Sequence, residues 1–241
     1  MNLKMIRYLL GVILLIEAGL LLIPLLVSAV FGEDVLPFVI TVGILLAVSV
    51  PCIFFKPKNT NIYAREGFVV TALGWFLMAA FGALPFLFSG AIPNYINALF
   101  ETASGFTTTG ASILTDIESL PKGILYWRSF THWVGGMGVL VFLLAILPAR
   151  NGQSIHILRA EVPGPTKGKL VPKMRKTALI LYAIYFGLTA LETIALLFTG
   201  MDFYNASACA YATAGTGGFS VLNNSIGGYG NPAAEWVIAV F

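Results

Sequence analysis

The chain has 241 residues, of which 58% are hydrophobic and only 10% are charged, and its mean hydropathy is +0.87. Because soluble domains carry about 25% charged residues, this composition excludes a soluble globular protein and predicts a membrane protein. The net charge of +3 reflects where basic residues are placed and does not indicate nucleic-acid binding. Two cysteines, Cys52 and Cys209, provide neither a disulfide framework nor a metal site. We expect both to be free packing residues near opposite faces of the membrane.

Two long apolar stretches begin the chain and predict a helical hairpin. Residues 8–31 exceed the apolar core of a signal peptide, which has about 7–15 residues, so we interpret them as a retained spanning helix that is kinked at Pro24. A turn at 32–34 leads to a second span over 36–55. Glu17 lies within the first span, where a carboxylate is costly. A packing role for Glu17 is favoured over a functional one.

A unit of span, short helix, loop and span follows the hairpin and then begins again. The short helices have about 12 residues, which is too few to cross a bilayer, and Asn and Pro signal helix starts. The first copy comprises a span at 67–88, a short helix at about 94–105, a first loop at 106–112 and a span at about 125–147. The second copy comprises a span at 177–199, a short helix at about 202–213, a second loop at 214–220 and a span that begins at Asn231-Pro232.

These elements predict an all-α polytopic membrane protein, in which a two-helix N-terminal unit precedes one complete and one truncated helix–pore-loop–helix repeat. Because the last apolar stretch covers about a third of a span, we expect the chain to be part of a longer protein. The predicted parts are an N-terminal hairpin at 1–60, a first repeat at 61–152, a basic cytoplasmic linker at 153–172 and a second repeat at 173–241.

The two loops are rich in hydroxyl groups and glycine, and they align at an offset of 108 residues. At this offset Thr108 aligns with Thr216, and Gly110 aligns with Gly218. Uncharged, Gly-containing backbone at membrane depth is tolerated only where it is buried in protein or lines a wet cavity. We therefore interpret both loops as re-entrant segments that coordinate an ion.

The chemistry of the loops favours a monovalent cation. Backbone carbonyls can replace the hydration shell of K⁺, glycine permits the backbone angles that this requires, and the negative C-terminal end of each short helix stabilises a cation. The predicted selectivity filter comprises Thr107, Thr108, Thr109, Gly110 and Ala111 with Gly215, Thr216, Gly217, Gly218 and Phe219, none of which is a carboxylate. The predicted K⁺ ligands are Thr108, Thr109, Gly110, Thr216, Gly217 and Gly218.

Basic residues concentrate on one side of the predicted bilayer. All but Lys122 and Arg128 of the 14 Lys and Arg residues lie near the N-terminus, at 56–65 or at 149–176. Because cytoplasmic loops carry an excess of Lys and Arg, we expect a cytoplasmic N-terminus and loops that enter from outside. Three roles fit the basic stretch at 149–176: it sets the membrane topology and does nothing more, it binds anionic lipid headgroups, or it binds a cytosolic partner.

Three segments carry a family resemblance: GFTTTGAS at 105–112, HWVGGMG at 132–138 and TAGTGGFS at 213–220. Together with the order of the elements, they resemble the Trk/Ktr/HKT superfamily of potassium transporters, and in particular its bacterial Trk-type membrane subunits. The resemblance implies four repeats around one pore with one key glycine each, of which Gly110 and Gly218 match the first two. It further implies K⁺ uptake across the inner membrane, a homodimeric membrane subunit and a cytosolic nucleotide-binding regulatory subunit.

Other functions remain open at this point. A sodium-permeable or ion-coupled secondary transporter is the nearest alternative. An intramembrane enzyme would need Glu17, His132 and Glu192 to converge in one cavity. Gly135 and Gly136 fit either a hinge or close helix packing, and packing is favoured.

Three charged residues are predicted to lie near the outer face. Glu101 and Asp202 are candidates for concentrating cations at the pore mouth, and Arg128 for pairing with an outer carboxylate.

Overall fold

The computed structural model describes residues 1–57, 63–138 and 174–241, and the regular secondary structure in these ranges is helical. This confirms the predicted all-α class. The helices, numbered here in chain order, are α1 (Leu3–Leu20), α2 (Leu22–Val30), α3 (Leu36–Phe54), α4 (Ala64–Gly82), α5 (Leu84–Phe88), α6 (Tyr95–Phe106), α7 (Lys122–Met137), α8 (Met174–Phe198), α9 (Phe203–Ala214), the 3₁₀ helix η1 (Ser225–Tyr229) and α10 (Pro232–Val240).

Within the described residues, four stretches are long and apolar enough to cross a membrane, namely Leu3–Val30, Leu36–Phe54, Arg65–Phe88 and Ala178–Phe198. The first is interrupted at Leu21, because Pro24 has no N–H to donate to the carbonyl of Leu20 and its ring crowds that group. The kink predicted from Pro24 is therefore present and lies one turn before the proline. The stretch at Arg65–Phe88 is likewise divided, at Ala83, just before Pro85.

The N-terminal hairpin packs tightly on itself and then on the first repeat. A Cβ added at Gly11 of α1 would lie 2.7 Å from the Cβ of Cys52 in α3, so glycine is required for this approach. The turn after α2 contributes Glu33, whose carboxylate accepts the N–H groups of Lys122 and Gly123 at 2.7 and 2.9 Å. A carboxylate at a helix N-terminus is favourable, so the hairpin caps the start of α7.

Helix α7 forms the centre of the described structure. Its residues from Gly123 to Val134 are buried without interruption, and it contacts α2, α6 and α9. The aromatic side chains of Trp127, Phe130 and Trp133 pack along it. Both short helices therefore rest on one buried element, which fixes their relative positions.

Helix α7, which begins the predicted fourth span, ends at Met137. An uninterrupted helix over 125–147 was predicted, but α7 ends at Met137, and Gly138 has a φ of +67° that a helix cannot continue. The helix also begins three residues before the prediction, at Lys122, where Glu33 caps it. Residues 139–147, the linker at 153–172 and most of the basic stretch at 149–176 lie outside the described residues.

Candidate functional site

The two short helices correspond residue for residue at an offset of 108. Both α6 and α9 begin and end at equivalent positions. Each helix is shifted by one residue toward the C-terminus relative to its predicted range. Their N-caps are equivalent too: Asn94 Oδ1 accepts the N–H of Asn97 at 3.3 Å, and Asp202 Oδ2 accepts that of Asn205 at 3.1 Å. Side-chain oxygens at the N-cap satisfy backbone donors that the helix leaves free. Asp202, a candidate for attracting cations, thus has a structural role at this helix start.

Both short helices end in the same turn. The N–H groups of Thr108 and Thr109 donate to the carbonyls of Gly105 and Ser104 at 3.0 and 2.9 Å. This pair of hydrogen bonds defines a Schellman motif, whose C′ residue adopts a left-handed conformation and is usually glycine. Here Thr108 occupies that position with a φ of +54°.

The second loop repeats this turn in every respect. Thr216 has a φ of +55°, and the N–H groups of Thr216 and Gly217 donate to Thr213 and Ala212 at 2.8 and 2.9 Å. A β-branched residue at positive φ is a genuine outlier, and such strain concentrates at functional sites. Two threonines in this conformation at the same offset identify the loops as specialised segments.

The glycines that follow the threonines also share a conformation. Gly110 has a φ of +75° and Gly218 one of +82°. A Cβ added at Gly110 would overlap the carbonyl oxygen of Gly217, so the backbones of the two loops meet at this point. The structure therefore brings the predicted residues of both loops to one place. The carbonyl oxygen of Gly217 in the second loop lies against Gly110 in the first loop.

Side chains of the predicted filter residues differ in their placement. The hydroxyls of Thr107 and Thr109 bond each other at 2.8 Å, and that of Thr107 also donates to the Ala103 carbonyl at 2.7 Å. Ala111 is exposed, whereas Phe219 is buried and its ring stacks on His132 at 3.9 Å. Phe219 thus anchors the second loop in the protein.

The C-terminal half of α7 supports both loops from behind. A Cβ added at Gly135 would overlap the carbonyl oxygen of Phe106, and one at Gly136 would lie 2.7 Å from the Cα of Gly215. His132 contacts Gly217 and accepts the N–H of Phe219 on Nδ1 at 3.4 Å. The structure thus gives these glycines the close-packing role that the sequence favoured over a hinge.

A buried ion pair lies beside the loops. Arg128 Nε donates to Glu101 Oε1 at 2.6 Å, and the two residues are 2% and 0% exposed. The expected pairing of Arg128 with a carboxylate is therefore present. The suggestion that Glu101 concentrates cations at the pore mouth is wrong, because its carboxylate is fully buried and neutralised by Arg128.

The segments that follow the two loops are tied together by exposed hydrogen bonds. Asn223 donates from its backbone to Glu118 at 2.9 Å and from its amide to Asp116 at 3.1 Å, and its Oδ1 accepts the N–H of Ile117 at 2.6 Å. Hydrogen bonds from Asn223 and Ser119 lower the pKa of Asp116. The sequence carries no signal for this link, because the residues that it joins are more than 100 positions apart.

The three ionisable residues that an enzyme would need do not converge. Glu17 lies beside Gly82, His132 beside Gly217, and Glu192 beside Thr213. Among the residues that the structure describes, no three His, Cys, Asp or Glu side chains form a group that could hold a metal ion. The convergence required for the enzyme alternative is therefore missing from the described part of the chain.

A bundle of apolar helices that holds two equivalent helix–loop units defines a multi-pass membrane protein of the repeat-built transporter type. The family described as TrkH, cation transport protein, matches residues 38–241. The chain belongs to this family, which is one of transporters and not of enzymes.

Individual relatives agree with this assignment. The chain is 36% identical over its whole length to the Trk system potassium uptake proteins TrkH of Halomonas elongata and of Escherichia coli K12, and it covers 51% of each. The crystal structure of the potassium transporter TrkH from Vibrio parahaemolyticus matches with a TM-score of 0.84 and 30% identity, over 100% of this chain and 49% of that one. The chain thus spans about half the length of these relatives.

Proposed function

We propose that this chain is the N-terminal half of a K⁺ uptake protein of the inner membrane, and that its two loops form half of a selectivity filter made of backbone carbonyls. The observation that carries this proposal is the meeting of the loops, where Gly110 faces the carbonyl oxygen of Gly217. Carbonyl dipoles around a common axis are how a protein replaces the hydration shell of K⁺. The names of the relatives, which refer to potassium uptake, support the choice of ion.

The strained threonines support the same function. In a Schellman motif the chain leaves the helix axis abruptly, so Thr108 and Thr216 redirect the backbone immediately beyond the negative end of each short helix. A cation at the loops then interacts with two helix dipoles and with uncharged oxygen ligands. The proposed ligands are the carbonyl and hydroxyl oxygens at 108–110 and 216–218.

The assembly that we propose has three further parts. Two more repeats, supplied by the remainder of a full-length protein, complete the ring around the ion. The membrane subunit forms a homodimer, and a cytosolic nucleotide-binding subunit docks on its inner face. The N-terminus and residues 149–176 face the cytoplasm, as the distribution of Lys and Arg indicates.

Uptake of K⁺ tests the proposal directly. In cells without their own K⁺ uptake, we expect a chain extended over the length of its relatives to restore growth at low K⁺ and to take up K⁺ and Rb⁺ in preference to Na⁺. The 241-residue chain alone is expected to fail, because two loops cannot surround the ion. Preferential Na⁺ uptake would favour the sodium-permeable alternative, and no uptake of any monovalent cation would contradict the proposal.

Docking of the regulatory subunit makes a separate prediction. Replacing Lys and Arg by Gln across 167–176 is expected to weaken co-purification of the full-length membrane protein with its cytosolic subunit, because the charge that attracts the partner is removed. The same change at Lys4 and Arg7 serves as the control, since it removes basic charge elsewhere on that side. Equal recovery of the partner with both variants would leave 167–176 with a role in topology alone.

A further inference from the structure

The ion pair of Arg128 and Glu101 contacts both loops, and each residue contacts a different one. Glu101 lies on α6 and holds the end of the first loop: its Oε1 accepts the hydroxyl of Ser112 and its Oε2 accepts the N–H of Ile113, both at 2.9 Å. Arg128 lies on α7 and holds the second loop, because its Nη1 donates to the carbonyl of Ser220 at 2.8 Å. These hydrogen bonds run without a gap from one loop to the other.

A further contact strengthens the hold on the second loop. The guanidinium carbon of Arg128 lies 3.6 Å from the centre of the Phe219 ring. At this distance a cation–π interaction is favourable. The ring of His132 also stacks on Phe219, with the two ring centres 3.9 Å apart. The residue directly after Gly218 is thus fixed by two side chains of α7.

The second repeat has no counterpart to this pair. At the offset of 108, Glu101 corresponds to Cys209 and Arg128 to Trp236. Cys209 donates through Sγ to Tyr229 at 3.5 Å and carries no charge that could hold a guanidinium. Both side chains of this ion pair therefore come from the first repeat, and one of them, Arg128, holds the second loop.

Burial keeps the geometry of this ion pair fixed. Charged hydrogen bonds are shorter and stronger than neutral ones. Because this pair is buried, water does not compete for its donors and acceptors. Arginine also differs from lysine here, because its planar fork presents several N–H donors in fixed directions. Nε serves Glu101 while Nη1 serves Ser220, so the two loops are held at a distance set by one rigid group.

We infer that Arg128 and Glu101 are positioning residues for ion selectivity, which set the spacing between the loops and thereby the distances from their carbonyl oxygens to the ion. This inference rests on the proposed function, because it assigns a role within the same filter. The pair does not touch the ion. It acts through Ser112 and Ile113 at the end of the first loop, and through Phe219 and Ser220 in the second.

The test uses the full-length protein in cells without their own K⁺ uptake, with K⁺ uptake measured against competing Na⁺ and Rb⁺. Arg128→Lys keeps the positive charge but lacks the planar guanidinium group with its several N–H donors. Glu101→Gln keeps the size of the side chain but loses the negative charge. We expect each to lower the K⁺/Na⁺ ratio about tenfold, which corresponds to about 1.4 kcal/mol of lost discrimination. Ser112→Ala, which removes one of the hydrogen bonds to Glu101, should produce a smaller decrease.

Ser129→Ala is the matched control. Ser129 is buried on the same helix beside Arg128, and its hydroxyl has no hydrogen-bond partner among the described residues, so its removal should leave the ratio unchanged. A ratio does not depend on the amount of protein in the membrane. A variant that merely folds less well therefore lowers uptake of every ion equally and keeps the wild-type ratio.

The outcomes separate this inference from the proposed function. If the wild-type protein takes up K⁺ selectively and Arg128→Lys, Glu101→Gln and Ser112→Ala all keep its K⁺/Na⁺ ratio, the positioning role is wrong and the proposed function stands. If the wild-type protein takes up no K⁺, both are wrong. If the ratio decreases in the pair variants and not in Ser129→Ala, the pair sets selectivity.

Discussion

Replacing Gly110 by serine in the full-length protein is expected to abolish most of the preference for K⁺ over Na⁺. Two costs combine at this position. The φ of +75° disfavours any residue with a Cβ by about 1–2 kcal/mol, and the added Cβ overlaps the carbonyl oxygen of Gly217. The loops must then separate, which changes the carbonyl positions at the proposed ion site. The measurement is K⁺ uptake in competition with Na⁺ and Rb⁺.

Gly90→Ser provides the matched control for this prediction. Gly90 has nearly the same φ, +73°, but an added Cβ there meets no atom within 4 Å. It lies in the turn after α5, away from the loops. We expect Gly90→Ser to carry only the backbone cost and to keep the wild-type K⁺/Na⁺ ratio. Equal ratios for the two variants would contradict the role given to the contact between Gly110 and Gly217.

Replacing Gly135 by alanine is expected to destabilise the protein and to lower uptake of every transported ion. The added methyl group would overlap the carbonyl oxygen of Phe106, a backbone atom that cannot move without shifting the end of α6. Overpacking of this kind costs about 1–3 kcal/mol. A loss of stability lowers Tm, so thermal unfolding of the purified full-length protein should detect the change.

Gly187→Ala tests the same substitution without the contact. Gly187 lies within α8, and an added Cβ there meets no atom within 4 Å. Alanine favours a helix over glycine by about 1 kcal/mol, so Tm should stay constant or rise. A Tm for Gly135→Ala that equals or exceeds that of Gly187→Ala would show that α7 does not need to approach α6 so closely.

Most of the fold could be predicted from the sequence, because its signals are local. Long apolar runs gave the spans, and Asn94 and Asp202 marked the starts of the short helices that they cap. The alignment of Thr108 with Thr216 also predicted two equivalent loops, and the φ angles of these threonines are +54° and +55°. Such features depend on residues a few positions apart, so a single sequence is enough to reveal them.

The contacts that join the loops could not be predicted in the same way. Nothing in the sequence shows that Glu101 is the partner of Arg128, or that Asn223 bonds Asp116, because these residues meet only after the helices pack. The positive φ of Thr108 was also missed, since glycine and not threonine is the usual signal for that conformation. The end of α7 at Met137 was missed because the residues around Gly138 continue an apolar run.

Burial of α7 has a consequence for how the protein enters the bilayer during synthesis. This helix has 16 residues and carries Arg128 and His132 within its buried stretch. An arginine within a spanning helix opposes insertion from the translocon. Glu101, made earlier in the chain, supplies the neutralising partner. Helix α7 is therefore expected to leave the translocon together with α6 and not as a single helix.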